Sequence, residues 1–287
     1  GKELQQTPQP TPQPTPQPTP QPPSSRSRQF TRVGLAGLLT LLTLNAWFTS
    51  RHLEQQSRGS REHLFWVLCH DGGTPDSRRK AFLALIAEGN SIWTAARLEK
   101  LDLDQVDLVG ADLVGVMLDG SRLVDARLMR ADLLQASLRT VDLRKASLVG
   151  AQMEEVLALK AKLDEANFFE ANLRSASLEQ VHAHQANFVK ADLSDAYLYM
   201  ADFTGSTFTA ANLTDANLEA AILRDTDLSL AIMDGARLVD ADFSGANWWR
   251  ALGLSQAQLD ELSAKFAPDQ DATDQRRDDY QRWLESR

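Results

Sequence analysis

Two histidines stand two residues apart, His182 and His184, a spacing that on extended chain sends both rings to the same side of the backbone. Paired imidazoles are metal-ligand chemistry, but such a site needs a third donor, and no cysteine or further histidine lies near them in sequence. If Ala183 points inward both rings point outward, which predicts solvated surface and no metal centre. A second candidate is the Asp or Asn that recurs beside leucine, as in Ala111-Asp112-Leu113, Ala171-Asn172-Leu173 and Ala241-Asp242-Phe243. Carboxylates in series could serve acid–base chemistry or calcium, yet a short polar side chain at a fixed place in a repeat is better suited to accepting hydrogen bonds from turn amides. Cys69 is the single cysteine, so no intrachain disulfide and no cysteine-based zinc site can form. There is no glycine-rich phosphate loop, nucleophile elbow or metal-binding helix motif. The expectation is a protein with no catalytic residue, no cofactor and no metal.

The elements that must carry these side chains follow a period of five. Of the thirty positions from 103 to 248 whose numbers end in 3 or 8, 28 are Leu, Phe, Met or Trp, the exceptions being Ala158 and Ala183. Those ending in 1 or 6 from 101 to 246 are small, with 21 Ala and five Val among thirty. Neither the 3.6 period of an amphipathic helix nor the 2.0 period of a half-buried strand fits. A coil that bends once per repeat does, with one large and one small apolar side chain pointing inward from each repeat. The large column includes Leu113, Leu133, Leu143, Phe168, Leu173, Phe188, Leu193, Phe203, Leu213, Phe243 and Trp248, the last being the final inward layer. All seven glycines between 101 and 251 end in 0 or 5, where a corner wants positive φ, and that stretch has no proline to spoil backbone pairing.

Repeated about thirty times over roughly half the chain, the signature A-(D/N)-L-x-x resembles that of the pentapeptide-repeat family. The resemblance implies an all-β repeat fold, a right-handed quadrilateral β-helix with four repeats, or twenty residues, per coil. Thirty repeats then make about seven and a half coils and a rod about 36 Å long. At Ala158 and Ala183 the inward layer is underfilled, and a bulge or short loop is expected near 154–160, where Leu157 and Leu159 flank the first. Ser77 to Phe82 followed by Leu85 also looks like the short helix that precedes the repeats in membrane-linked members of the family.

Outside the repeats the chain divides into blocks. Residues 1–29 hold nine of the eleven prolines, eight of them in a Thr-Pro-Gln-Pro tract over 7–22, a polyproline spacer. Within 30–50, Val33 to Thr49 is a run of seventeen uncharged residues with six leucines, flanked by Arg26, Arg28 and Arg32 before and Arg51 after. As a helix it spans about 26 Å, slightly short of a hydrocarbon core of about 30 Å. A single-pass anchor is the favoured reading, a cleaved signal peptide and a buried helix being the rivals, and the flanking arginines leave its orientation a tie. Gly1 in place of Met suggests a processed or truncated start. Residues 51–100 read as a helical linker and a cap over the first coil, with Asp76 the N-cap of its second helix. In 252–287, Ser255 and Gln258 form a capping-box pair ahead of Leu259, Leu262 and Phe266, a helix placed to close the far end.

Charge divides as well: residues 1–100 carry 12 Lys and Arg against 7 Asp and Glu, whereas 101–287 carry 18 against 32. An acidic rod repels phosphate backbones, so direct nucleic-acid binding is not expected. Stacking by twenties brings Val109, Met129, Val149, Phe169 and Val189 onto one face, with Trp249 at its end. That stripe predicts a docking surface for another protein or a second copy. The functional expectation is a membrane-tethered, non-catalytic interaction scaffold, single-pass, with the side carrying the repeats open. The alternative, implied by the resemblance, is an acidic rod that imitates DNA and binds a type II topoisomerase.

Overall fold

Five backbone amides per repeat need acceptors, and where they find them explains the architecture. In a computed structural model that describes residues 67–68, 74–87 and 93–286, all inside the unit Gly59–Arg287, the chain coils so that the residues ending in 2 or 7 from Arg97 to Ile232, Asp227 excepted, pair in parallel with the residue twenty further on. The amide of the inward large residue donates to the next coil, as Leu103 N does to Arg122 O at 2.8 Å. The corner amide does the same, Gln105 N to Val124 O at 2.8 Å, and the residue ending in 2 or 7 donates to the coil before, Arg122 N to Leu101 O at 2.8 Å. The fourth amide closes a β-turn, Val106 N to Leu103 O at 3.2 Å. The fifth is taken by the recurring Asp or Asn two residues earlier: Leu134 N donates to Asp132 Oδ1 at 3.1 Å, Phe169 N to Asn167 Oδ1 at 3.0 Å and Ser194 N to Asp192 Oδ1 at 3.0 Å. The carboxylates and amides of the signature are thus acceptors for the turn.

Four such repeats make one right-handed coil with four sides. Side 1 carries the pairs Arg97 to Met117 and onward, side 2 begins with Asp102 to Arg122, side 3 with Asp107 to Arg127 and side 4 with Asp112 to Asp132. Every fifth residue from Ala95 to Gly245 has positive φ, 24 of them not glycine, with φ between 54° and 61°. Glycine therefore relieves only a minority of corners, and the ladder holds the rest in a conformation that costs an L-residue about 1–2 kcal/mol.

The interior is a set of columns. Of the large inward positions from Leu103 to Trp248 only Leu238 is more than marginally exposed, and every position of the small column from Leu101 to Ala246 is buried. Phe168, Phe188 and Phe208 stack face to face at 4.8 and 4.9 Å, the spacing of one coil on the next. Phe203 packs edge-on against both Phe188 and Phe208, filling the interior on the coil above Ala183. Buried hydroxyls in the small column are paired: Ser121 Oγ donates to Leu98 O and accepts from Leu101 N.

Three expectations change. No bulge interrupts 154–160: Ala158 N donates to Ser177 O at 2.8 Å and Lys160 N to Glu179 O at 3.0 Å, so backbone pairing holds register where a side chain is small. The repeat begins before residue 101, since Trp93 and Leu98 already occupy inward positions and Arg97 pairs with Met117. Helix α1, Pro75–Ala87, is capped by Thr74, whose Oγ1 accepts from Ser77 N, so Asp76 lies in the first turn instead of at the cap.

α1 sets Phe82 and Leu85 against the first coil, with the Phe82 ring 4.3 Å from that of Trp93, and Arg78 and Arg79 donate to the carbonyls of Glu99 and Asp102. At the other end a short 3-10 turn, Trp248–Arg250, leads into α2, Gln256–Phe266, and α3, Asp274–Glu285. The Ser255–Gln258 capping box forms, and Gln258 Nε2 also donates to Ala236 O. Among the described residues no helix is long and apolar enough to cross a membrane. The 33–49 segment and the 1–29 spacer lie outside the described residues.

Candidate interaction surface

Val109, Met129, Val149, Phe169 and Val189 lie on side 3, each one coil above the last, as the twenty-residue stacking predicts. Val109 is 45 % exposed, the other four are half-buried, and the Lys190 ammonium sits 5.5 Å above the Phe169 ring. Trp249 does not belong to this surface. It is 3 % exposed because α3 covers it: its ring lies 5.2 Å from Tyr280 and its Nε1 donates to Asp279 at 2.8 Å. The coil's register has slipped here, since Leu230 N donates to Arg250 O and Trp249 lies in the 3-10 turn, and the sequence pattern carried no sign of the helix that folds back over it.

Asp279 is the hub of that closure. Arg250 donates to both of its oxygens, and this ion pair, with the Trp249 bond, holds the Asp279 carboxyl below its usual range against the opposing effect of burial. Arg276 donates to Ala246 O at 2.7 Å, and Tyr280 packs on Trp248. A cleft of about 420 Å³ between the last coil and α3 is lined by these same groups. Of its charges, Arg250, Arg276 and Asp279 dock the helix, whereas Asp227 accepts from Ser229 N and Asn247 Nδ2 of the coil.

Periodicity alone missed two further surfaces. On side 1, opposite the stripe, Tyr197, Tyr199 and Met200 are 52, 39 and 49 % exposed. They do not recur coil after coil, so the period does not mark them. The net acidity is also unevenly spread: the outward positions of side 4 from Asp112 to Gly235 carry eight carboxylates and one base, Arg174, whereas side 1 from Arg97 to Asp240 carries five of each sign.

Side 2 holds the two histidines. Both are outward and exposed, with rings 6.3 Å apart and edge-on, and the next coil brings Asp202 to them, its Oδ2 lying 3.0 Å from His184 Nε2. Sequence reasoning looked for a third donor nearby in the chain, whereas the coil supplies it twenty residues away.

The sequence profile of the family described as pentapeptide repeats (8 copies) matches residues 94–123, 121–157, 171–209 and 211–247. Among solved structures, HetL, a pentapeptide repeat protein involved in heterocyst differentiation regulation from the cyanobacterium Nostoc sp. strain PCC 7120, is 28 % identical. The match covers 58 % of this chain and 95 % of HetL, with a TM-score of 0.34. QnrB1, a plasmid-mediated fluoroquinolone resistance protein, is 21 % identical over 60 % of this chain and 88 % of its own, with a TM-score of 0.47. A pentapeptide repeat protein from the Arabidopsis thaliana thylakoid lumen is 18 % identical over 57 % of this chain and 74 % of its own, TM-score 0.13. None superposes closely enough for its biological role to carry over. No match is found among the curated proteins. The five-residue period, the twenty-residue pairing and the profile match agree, and the chain belongs to the pentapeptide-repeat family.

Proposed function

We propose that this protein is a membrane-tethered, non-catalytic scaffold whose β-helix docks another protein, or a second copy of itself, along side 3. The observation that carries the reading is the apolar stripe Val109, Met129, Val149, Phe169 and Val189, one residue per coil over five coils. Contiguous apolar surface marks an interface, and the ladder that fixes the turns carrying these residues presents the stripe without an ordering cost. The tether rests on the uncharged, leucine-rich run 33–49 between arginines. Replacing Val149 and Phe169 by Asp tests the docking face: self-association measured by sedimentation, and partner capture measured by crosslinking in native membranes, are expected to fall at least tenfold with the far-UV circular dichroism retained. Undiminished association would remove the reading.

A second reading, an acidic rod that binds a type II topoisomerase in place of DNA, is favoured by one observation, the concentration of eight carboxylates against a single arginine on side 4. A gyrase supercoiling assay with the purified protein separates the two: the scaffold reading expects no inhibition and no protection, and the acidic-rod reading expects one of them.

A further inference from the structure

We propose that His182, His184 and Asp202 form a binding site for a first-row transition cation of the zinc class on side 2 of the β-helix. His182 and His184 are outward neighbours on one rung, and the parallel pair His182 to Asp202 sets the carboxylate directly on the following coil. One ligating atom from each of the three lies within 4.8 Å of the others, so small side-chain rotations bring all three to the roughly 2.0–2.2 Å that nitrogen and carboxylate oxygen take around zinc. Two imidazoles and one carboxylate suit a borderline transition metal better than calcium or magnesium, which prefer oxygen. Three protein donors leave a fourth position open to water or to a donor from a partner.

The surroundings position these donors individually. Asp202 Oδ1 accepts from Thr204 N at 3.0 Å and from Thr204 Oγ1 at 2.6 Å, which leaves Oδ2 as the oxygen aimed at His184. Behind His184 stands Asp164: its Oδ1 accepts from the His184 amide at 3.1 Å and lies 3.6 Å from His184 Nδ1. In this structure His184 Nε2 lies at hydrogen-bond distance from Asp202 Oδ2, so a bound ion would take the place of that proton, and Asp164 stands on the Nδ1 side as an outer carboxylate. The backbone on either side is held in the ladder, with Glu165 N donating to His184 O and His182 N to Ala161 O, so the donors sit on rigid elements. A cation here would tie adjacent coils together on the outside, at the level where Ala183 leaves the inward position smallest.

The test is a titration of the full chain, stripped with a chelator, with zinc chloride at neutral pH, followed by calorimetry and by the visible absorption of cobalt(II) taken up in its place. The wild type is expected to bind one zinc equivalent more than His182→Ala/His184→Ala, and that equivalent to carry the cobalt absorption. Asp202→Asn and Asp164→Asn are expected to weaken it about tenfold or more. All four substituted side chains point outward, and unchanged far-UV circular dichroism checks that the coil is intact. Equal stoichiometry and affinity in wild type and the double variant would overturn the site, as would zinc binding by the wild type at millimolar concentrations only.

Discussion

At the scale of single residues the corners decide most. A residue with positive φ strains any L side chain, and a β-branched one most of all. Thr140 holds φ at 55° on an exposed corner. Thr140→Gly removes that strain, about 1–2 kcal/mol, at an entropic cost in the unfolded chain of about 0.5–1 kcal/mol, for a net gain of about 0.5–1 kcal/mol. Gly245 is the opposite case: at φ +75° an added Cβ would lie 1.9 Å from Asp225 Oδ1 and 3.1 Å from the Asp225 amide. Gly245→Ala is expected to destabilise the last coil by about 2 kcal/mol. Urea titrations of the two variants check the signs, and a stabilised Gly245→Ala would contradict the geometry. The corner positions themselves were legible, because every glycine of the repeat falls on one. That the other 24 corners tolerate ordinary residues was not, since only a continuous ladder forces them there.

At the scale of elements, the columns and the closing helices set stability. Phe188 is fully buried between Phe168 and Phe208 and edge-on to Phe203. Phe188→Ala is expected to cost about 3–5 kcal/mol, because the neighbouring coils cannot collapse into the gap without breaking their backbone pairing. Stability of a solenoid is a sum over neighbouring coils, so hydrogen exchange should quicken around residues 168–208 before it does at the ends. Docking of α3 is one pH-sensitive step, beside the coil carboxylates Asp142, Asp202, Asp227 and Asp242, which are also held below their ordinary range. The Asp279 carboxyl, held below its ordinary range chiefly by the Arg250 hydrogen bonds, contributes in full above the unfolded carboxylate value of about 3.9 and loses that contribution as pH falls through its folded value. The near-UV circular dichroism of Trp248 and Trp249 is therefore expected to decay on acidification below about pH 4. In Asp279→Asn it should be weaker already at neutral pH and flatter across that range. A variant with the wild-type profile would show that α3 is held by packing alone. The capping box of α2 was readable from Ser255 and Gln258, whereas α3, polar over most of its length, revealed its docking face only once Trp248 and Trp249 stood beneath Tyr280 and Asp279.

At the scale of the whole molecule, presentation is the issue. A coil with four flat sides sorts its surface by residue number modulo twenty, so an apolar stripe, a balanced side and an acidic side coexist on one rigid body. In the proposed reading the uncharged run 33–49 tethers this protein to a membrane. In cells expressing the full chain, alkaline carbonate is expected to leave the protein in the membrane pellet, and Leu38→Arg/Leu41→Arg to move it to the supernatant, since each arginine costs about 2.5–3.5 kcal/mol at the centre of a span. Release of the wild type by carbonate would remove the anchor.

The five-residue period alone gives a chain that bends once per repeat, with its inward columns and its corners, because large side chains five apart need the same enclosed environment. The four-repeat coil, and the alignment of Val109, Met129, Val149, Phe169 and Val189 that follows from it, came from the likeness to the pentapeptide-repeat family. Contacts that ignore the period were decided only in three dimensions. Trp249 is covered by a helix thirty residues downstream, and the aromatic group at Tyr197 and Tyr199 does not recur along the coil. Each depends on which segments meet in space, which a one-dimensional repeat does not encode.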